Sequence, residues 1–298
     1  MNILITGCNG QLGTEMRLQS TQHAAHTYFF TDVAELDITD RTAVQSFVSE
    51  HGIDLIVNCA AYTNVDKAEG DEATAHLLNA KAVENLGLSG AKVIHISTDY
   101  VFRGEGCIPC KESDPVDPCT AYGRTKLEGE RLLLAVCPDA IILRTAWLYS
   151  AYGNNFVKTM LRLSQERESL GVVFDQVGSP TYAADLAAAI YAVIASPEWK
   201  PGIYHFTNEG VCSWYDFTHE ILSQTLSLAA DGRIQLPKEK IENMSRCALR
   251  PILSTEYAYQ TPRPHYSVLD KSKFKQTFGV SIPYWTDGLH RCLCQLLQ

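Results

Sequence analysis

Short apolar runs alternate with helical periodicity through the first two thirds of the chain. Asn2–Thr6, Thr27–Asp32, Asp54–Ala61, Lys92–Ser97, Ile141–Arg144 and Gly171–Phe174 are mostly apolar and often β-branched. Such runs suit strands covered on both faces. Helices are predicted from Thr14 onward, from the Asp37–Asp40 cap to about His51 with Val44, Phe47 and Val48 on one face, and over Asp71–Leu88. Further helices are predicted around Tyr122–Lys126, over Tyr152–Glu168 and over Tyr182–Ala195. Strand, helix, strand at this rhythm predicts an α/β protein with a Rossmann-type doubly wound parallel sheet. Beyond about Pro197 the rhythm loosens, and Pro251, Pro262, Pro264 and Pro283 break up the tail. We therefore expect one domain over 1–197 and a smaller C-terminal α/β domain over 198–298, with segments near 175–181 contributing to it. The second domain would cover the edge of the sheet where such folds bind ligands.

Composition changes this picture little. The chain has 298 residues, 46% hydrophobic and 20% charged, which is ordinary for a globular protein. Its apolar runs fall short of the roughly 18 residues of a membrane span. The start, Met-Asn-Ile-Leu-Ile-Thr-Gly, reads as a first strand and not as a signal peptide. A cytoplasmic protein is expected. The net charge of −9, without a basic cluster, argues against nucleic acid as a partner. Ten cysteines lie mostly within apolar segments and read as small hydrophobes. Cys107 and Cys110 form one C-x-x-C with Cys119 nearby, and no second pair completes a four-ligand metal set.

The candidate chemistry begins at the first strand's end. Gly7, Gly10 and Gly13 form a G-x-x-G-x-x-G loop, with Gln11 and Leu12 inside it, between a strand and a helix. That context is what a dinucleotide pyrophosphate needs: a tight turn, close backbone approach and a helix N-terminus. Asp32 ends the second strand about 20 residues on, placed for the adenosine ribose hydroxyls; its charge disfavours a 2′-phosphate and favours NADH over NADPH. Arg17 is the residue that would offset that charge. Asp37 is placed either to reach the adenine, with Ile38, or to cap the following helix. Tyr122 and Lys126 stand four apart, so a helix puts both on one face. A lysine beside a phenol would lower the phenol's pKa and make it a proton-transfer group. Thr98 and Asp99 follow the fourth strand, at the edge where such sheets hold ligands. His95, inside that strand, reads as structural.

The glycine loop, Asn58–Thr63, Ser97-Thr-Asp-Tyr-Val-Phe102, Tyr122–Lys126, Arg144–Tyr149 and Asp175-Gln-Val-Gly-Ser-Pro-Thr181 together resemble the extended short-chain dehydrogenase/reductases. Within that family the chain is similar to the dTDP-4-dehydrorhamnose reductases, along almost its whole length. The resemblance implies reduction of a dTDP-6-deoxy-4-ketohexose at C4 by NADH or NADPH. It implies Tyr122 as proton donor, Lys126 as its partner and a ligand of the nicotinamide ribose, and Thr98 as a donor to the reacting oxygen. It places Ala61, Tyr62 and Thr63 along the cofactor, and Trp147 beside the sugar. Asp99 would contact substrate or brace its loop, and Arg263 would clamp the diphosphate. A monomer or homodimer is expected. Some members are magnesium-dependent dimers; Glu15 matches one of their glutamates, but Thr181–Asp185 carries alanine where the second would stand, so no metal is expected. The alternatives are an epimerase or dehydratase of the same extended family, or a non-catalytic regulatory subunit related to the methionine adenosyltransferase beta subunit.

Overall fold

The computed structural model describes residues 1–258 and 261–297. Five strands, β1 (Asn2–Thr6), β2 (Thr27–Thr31), β3 (Leu55–Asn58), β4 (Lys92–Thr98) and β5 (Ile141–Thr145), join Gly202–His205 in one six-stranded sheet. The order is Gly202–His205, β5, β4, β3, β1, β2, and every pairing is parallel. The Rossmann-type doubly wound arrangement is therefore present. Both faces are apolar because both are covered. Ile3, Ile5, Val57 and Leu143 pack under the helices Gln11–Gln19 and Ala183–Ile194. Leu4, Ile56, Val93 and Ile142 pack under Arg41–His51, Ala82–Gly87 and Ala121–Val136. Each such fully buried side chain contributes about 1.5–3 kcal/mol.

Two expectations need correction. Gly171–Phe174 is not in this sheet: Ser169–Val173 pairs with Ala248–Ile252 in a separate two-stranded parallel ladder. The sixth strand is Gly202–His205, beyond the expected boundary at 197. The chain leaves the sheet after β5 because Trp147 takes φ 49°, the left-handed region, and Leu148–Tyr149 then pairs with Thr181–Tyr182. Segments 149–172, 212–247 and 285–293 share a second core around Phe217, Leu289 and Trp285. The two layers thus interleave along the sequence and do not follow one another at 197/198.

The helix expected over Asp71–Leu88 is present over 72–87, with a π-helical turn inside it. Val65–Gly70 and Glu72–His76 precede a π-helical turn, Leu77–Lys81, and then Ala82–Gly87. Asp71 interrupts the first two, and its carboxylate accepts from the Thr74 N–H. Among the described residues no helix is long and apolar enough to cross a membrane.

Candidate active site

The glycine loop joins β1 to the helix Gln11–Gln19. Gly7 has φ 62°, and a Cβ there would lie 2.7 Å from the Ala60 backbone. A Cβ on Gly13 would lie 2.3 Å from the Gly7 carbonyl oxygen. Only glycine permits this turn and this close seating of helix on strand. No side chain caps the helix at Gly10, so its N-terminal dipole faces the space above the loop. That space is a cavity of about 550 Å³ bounded by Gly7, Gly10, Asp32, Ile38 and Ala61. Asp32 accepts hydrogen bonds from the N–H groups of Asn9 (3.0 Å) and Val33 (2.9 Å). Asp37 lines the same cavity but spends one oxygen on Thr39. The cap of Arg41–His51 is Asp40, which accepts from Thr42 and Ala43. The loop, the open helix end and the Asp32 carboxylate fit a dinucleotide.

A second cavity, about 610 Å³, continues past Gly10, Cys59 and Ala61 to Thr98, Tyr122 and Lys126. Gln11, Leu12 and Thr63 line it as well. Tyr62 stands behind it: its N–H donates to the Asn79 side chain at 2.9 Å, and its ring packs with Tyr122 around Ala121. The three expected catalytic residues therefore meet at one wall. Helix Ala121–Val136 begins at Thr120, whose hydroxyl accepts from the Gly123 N–H at 3.0 Å. This cap starts the helix one residue before Tyr122, so Tyr122 and Lys126 share the face toward β4. Thr98 ends β4, donates to Asp99 Oδ1 at 2.9 Å and hydrogen-bonds Tyr122.

The electrostatics differ from the simple tyrosine–lysine picture. Burial pushes the Tyr122 phenol up to about 12, the Thr98 hydrogen bond opposing it and the Asp99 charge adding to it. The expected lowering by lysine is absent because Lys126 turns elsewhere. Its Nζ donates to the Ile96 carbonyl at 2.6 Å and lies 3.2 Å from His95 Nε2. Burial pushes the ammonium down to about 8, with Glu130 pulling the other way. Burial raises the Asp99 carboxyl to about 7 against the hydrogen bond from Thr98.

A third cavity, about 300 Å³, opens beside Asp99 and is walled by Trp147, Met160, Arg167, Trp214 and Arg263. The Trp147 indole stacks on Trp214 at 3.4 Å and 7°. Gly178 makes room for it, since a Cβ there would lie 2.6 Å from the indole. Arg263 reaches this wall, and its guanidinium is tied to Asp66 at 2.7 Å. Glu15 is buried and accepts from Ser150 at 2.7 Å; among the described residues no His, Cys, Asp and Glu group forms a metal set. All ten cysteines are free.

Sequence reasoning missed Trp214 and Arg167, which come from segments far from the motifs. It also missed the buried ion pair behind the lysine: Arg144 donates to Glu130 at 2.9 and 2.6 Å, and Ser97 donates to it at 2.5 Å. A buried arginine in β5 and a glutamate one turn past Lys126 were the available signal.

A glycine loop under a Rossmann sheet, leading to a Thr/Tyr/Lys wall, defines a dinucleotide-dependent oxidoreductase of the short-chain dehydrogenase/reductase kind. The comparisons narrow this further. The chain belongs to the RmlD substrate binding domain family, which it matches over residues 1–298. It is 39% identical over 295 residues to the dTDP-4-dehydrorhamnose reductase of Aggregatibacter actinomycetemcomitans, across 96% of each chain. It is similar to the crystal structure of a dTDP-4-dehydrorhamnose reductase of Clostridium acetobutylicum, at 40% identity and TM-score 0.90 over all of both chains. It is also similar to that of Bacillus anthracis in complex with NADP, at 35% identity and TM-score 0.87 over 99% of each.

Proposed function

We propose that the protein reduces the C4 ketone of dTDP-4-dehydro-6-deoxy-L-mannose (dTDP-4-dehydrorhamnose) to give dTDP-L-rhamnose. The observation that carries this reading is the meeting of Thr98, Tyr122 and Lys126 on one cavity wall that continues from the glycine loop. Gly7–Gly13, Asp32, Ala61 and Thr63 would hold NADH or NADPH, which would supply hydride to the ketone carbon. As negative charge grows on the ketone oxygen, the Tyr122 hydroxyl transfers its proton there. A phenol at about 12 is fully protonated at neutral pH, which an acid must be. The Thr98 hydroxyl, beside Tyr122, would donate to the same oxygen and stabilise the developing charge on releasing Asp99, to which it now gives its one proton. Lys126 lines the same cavity and would bind the ribose hydroxyls there.

The stacked Trp147/Trp214 wall with Arg167 and Arg263 suits a nucleoside diphosphate: flat apolar surface for the base, guanidinium for phosphate. For Arg263 the clamp requires release or sharing of Asp66. Asp32 supports a preference for NADH, since its charge meets the ribose end of the first cavity. Arg17 lies over Phe30 and against Cys8, close enough to temper that preference. Asp99 is the one carboxylate lining the Thr98 cavity among the described residues, and a dehydratase reading would need more.

The test is NADH and NADPH oxidation with the dTDP-keto sugar, with and without magnesium. Unchanged absorbance with both cofactors would remove the reductase reading.

A further inference from the structure

The buried side chains behind Lys126 form a chain whose hydrogen-bond direction is set by a backbone group. The Ala60 N–H donates to Asn58 Oδ1 at 3.1 Å, and the Thr6 hydroxyl donates to the same oxygen at 2.7 Å. A backbone N–H cannot accept, so the amide cannot be turned round. Asn58 Nδ2 therefore faces His95 Nδ1, at 3.0 Å, as a donor. Nδ1 must accept, which leaves the proton of a neutral imidazole on Nε2. That nitrogen lies 3.2 Å from Lys126 Nζ. An ammonium has no lone pair to receive an N–H; a neutral amine has one, and still keeps an N–H for the Ile96 carbonyl at 2.6 Å.

We propose that His95 is a positioning residue whose Nε2–H, oriented by Asn58, donates to the Lys126 amine and favours its uncharged form in the protein without bound cofactor. The proposal rests on reading Lys126 as part of the catalytic wall. His95 is fully buried, and it is chiefly this burial that holds the imidazole well below its usual range, so it stays neutral. The other groups facing the lysine are few. Tyr122 and Glu130 come from its own helix, and the Glu130 charge is engaged by Arg144 of β5 and by Ser97 of β4. Cys59, beyond β3, and Asp99 and Tyr100, beyond β4, complete the titratable lining of the cavity. None of these donates a hydrogen bond to the amine as His95 does. The lysine's charge is then a resting-state property tuned from β3 through Asn58 and β4 through His95, and not by the tyrosine it accompanies.

The experiment uses the full chain labelled with ¹⁵N-histidine and long-range proton–nitrogen spectra from about pH 6 to about pH 10. His95 is expected with Nε2 protonated and Nδ1 bare throughout. Its nitrogen shifts should step with a midpoint at or below about 8, as Lys126 titrates, and Lys126→Met should abolish the step. In His95→Phe the same lysine should titrate higher by about one unit, read as an upward move of the limb in the kcat/KM pH profile. A proton on Nδ1, or on both nitrogens, at neutral pH would overturn the proposal; so would a wild-type spectrum without the step. These spectra do not depend on turnover. Failure to reduce the keto sugar would remove the function proposed above while leaving the His95 result intact.

Discussion

A Cβ placed on Gly129 would lie 2.0 Å from the carbonyl oxygen of Asn79. Gly129 sits one turn beyond Lys126 in Ala121–Val136, and Asn79 lies in the π-helical turn Leu77–Lys81. The Asn79 side chain accepts from the Tyr62 N–H at 2.9 Å and donates to the Tyr62 carbonyl at 3.0 Å and the Thr125 hydroxyl at 3.2 Å. This crossing therefore seats the helix that carries Tyr122 and Lys126 against the strand-end loop of the cofactor cavity. The π turn puts the Asn79 carbonyl in contact with that helix at a position without a side chain.

Gly129→Ala should push the two segments apart. Overpacking of this kind costs about 1–3 kcal/mol, and turnover should fall further than stability because the Tyr122 face tilts. Urea denaturation and initial rates check both. A variant that melts and turns over like the parent would show that the crossing constrains nothing.

Tyr122→Phe keeps the ring, and with it the edge contact to Tyr100 at 5.4 Å, while removing the proton. We expect kcat to fall by about 10²–10⁴ with little change in KM. Stopped-flow NADH oxidation with the keto sugar measures it. Undiminished kcat would refute Tyr122 as the acid.

Asp99 has a folded pKa near 7, raised from 3.8 chiefly by burial. A raised carboxyl pKa stabilises the fold below the unfolded value, and that contribution is lost as pH rises from about 4 through about 7. Asp99→Asn removes the titration. Relative to the parent it should gain stability between about pH 5 and about pH 8, by up to about 3 kcal/mol at 1.36 kcal/mol per pKa unit. Denaturant midpoints of both proteins at the two pH values decide it, and a difference that does not vary with pH would sink the idea.

Glu130 and Arg144 are an ion pair with 2% and 3% of their side chains exposed, 2.6 Å apart. Glu130→Gln leaves the guanidinium buried without its counter-charge, which typically costs about 3–5 kcal/mol. Replacing both residues with apolar groups of similar size should recover most of that loss. A thermal melt of the single and double variants separates the two outcomes.

The parts of this protein legible in the sequence are those set by local spacing. The loop Gly7–Gly13 is a run whose backbone demands glycine, and Tyr122 and Lys126 share a face because helical geometry puts i and i+4 together. The parallel sheet followed from apolar runs, since strands buried on both faces read the same wherever they lie. What pairs with what did not follow. Gly202–His205 is too short and too mixed to announce itself, and it joins the sheet because β5 offers an open edge there. Gly171–Phe174 looks like a core strand and finds its partner at Ala248–Ile252 instead. The charge states of the site also came only from the fold. Depth of burial raises Tyr122 and lowers Lys126, and the neighbour that orients the lysine, His95, is one strand away and invisible to spacing. Short-range geometry is written in residue order; burial and cross-element partners depend on how the whole chain closes.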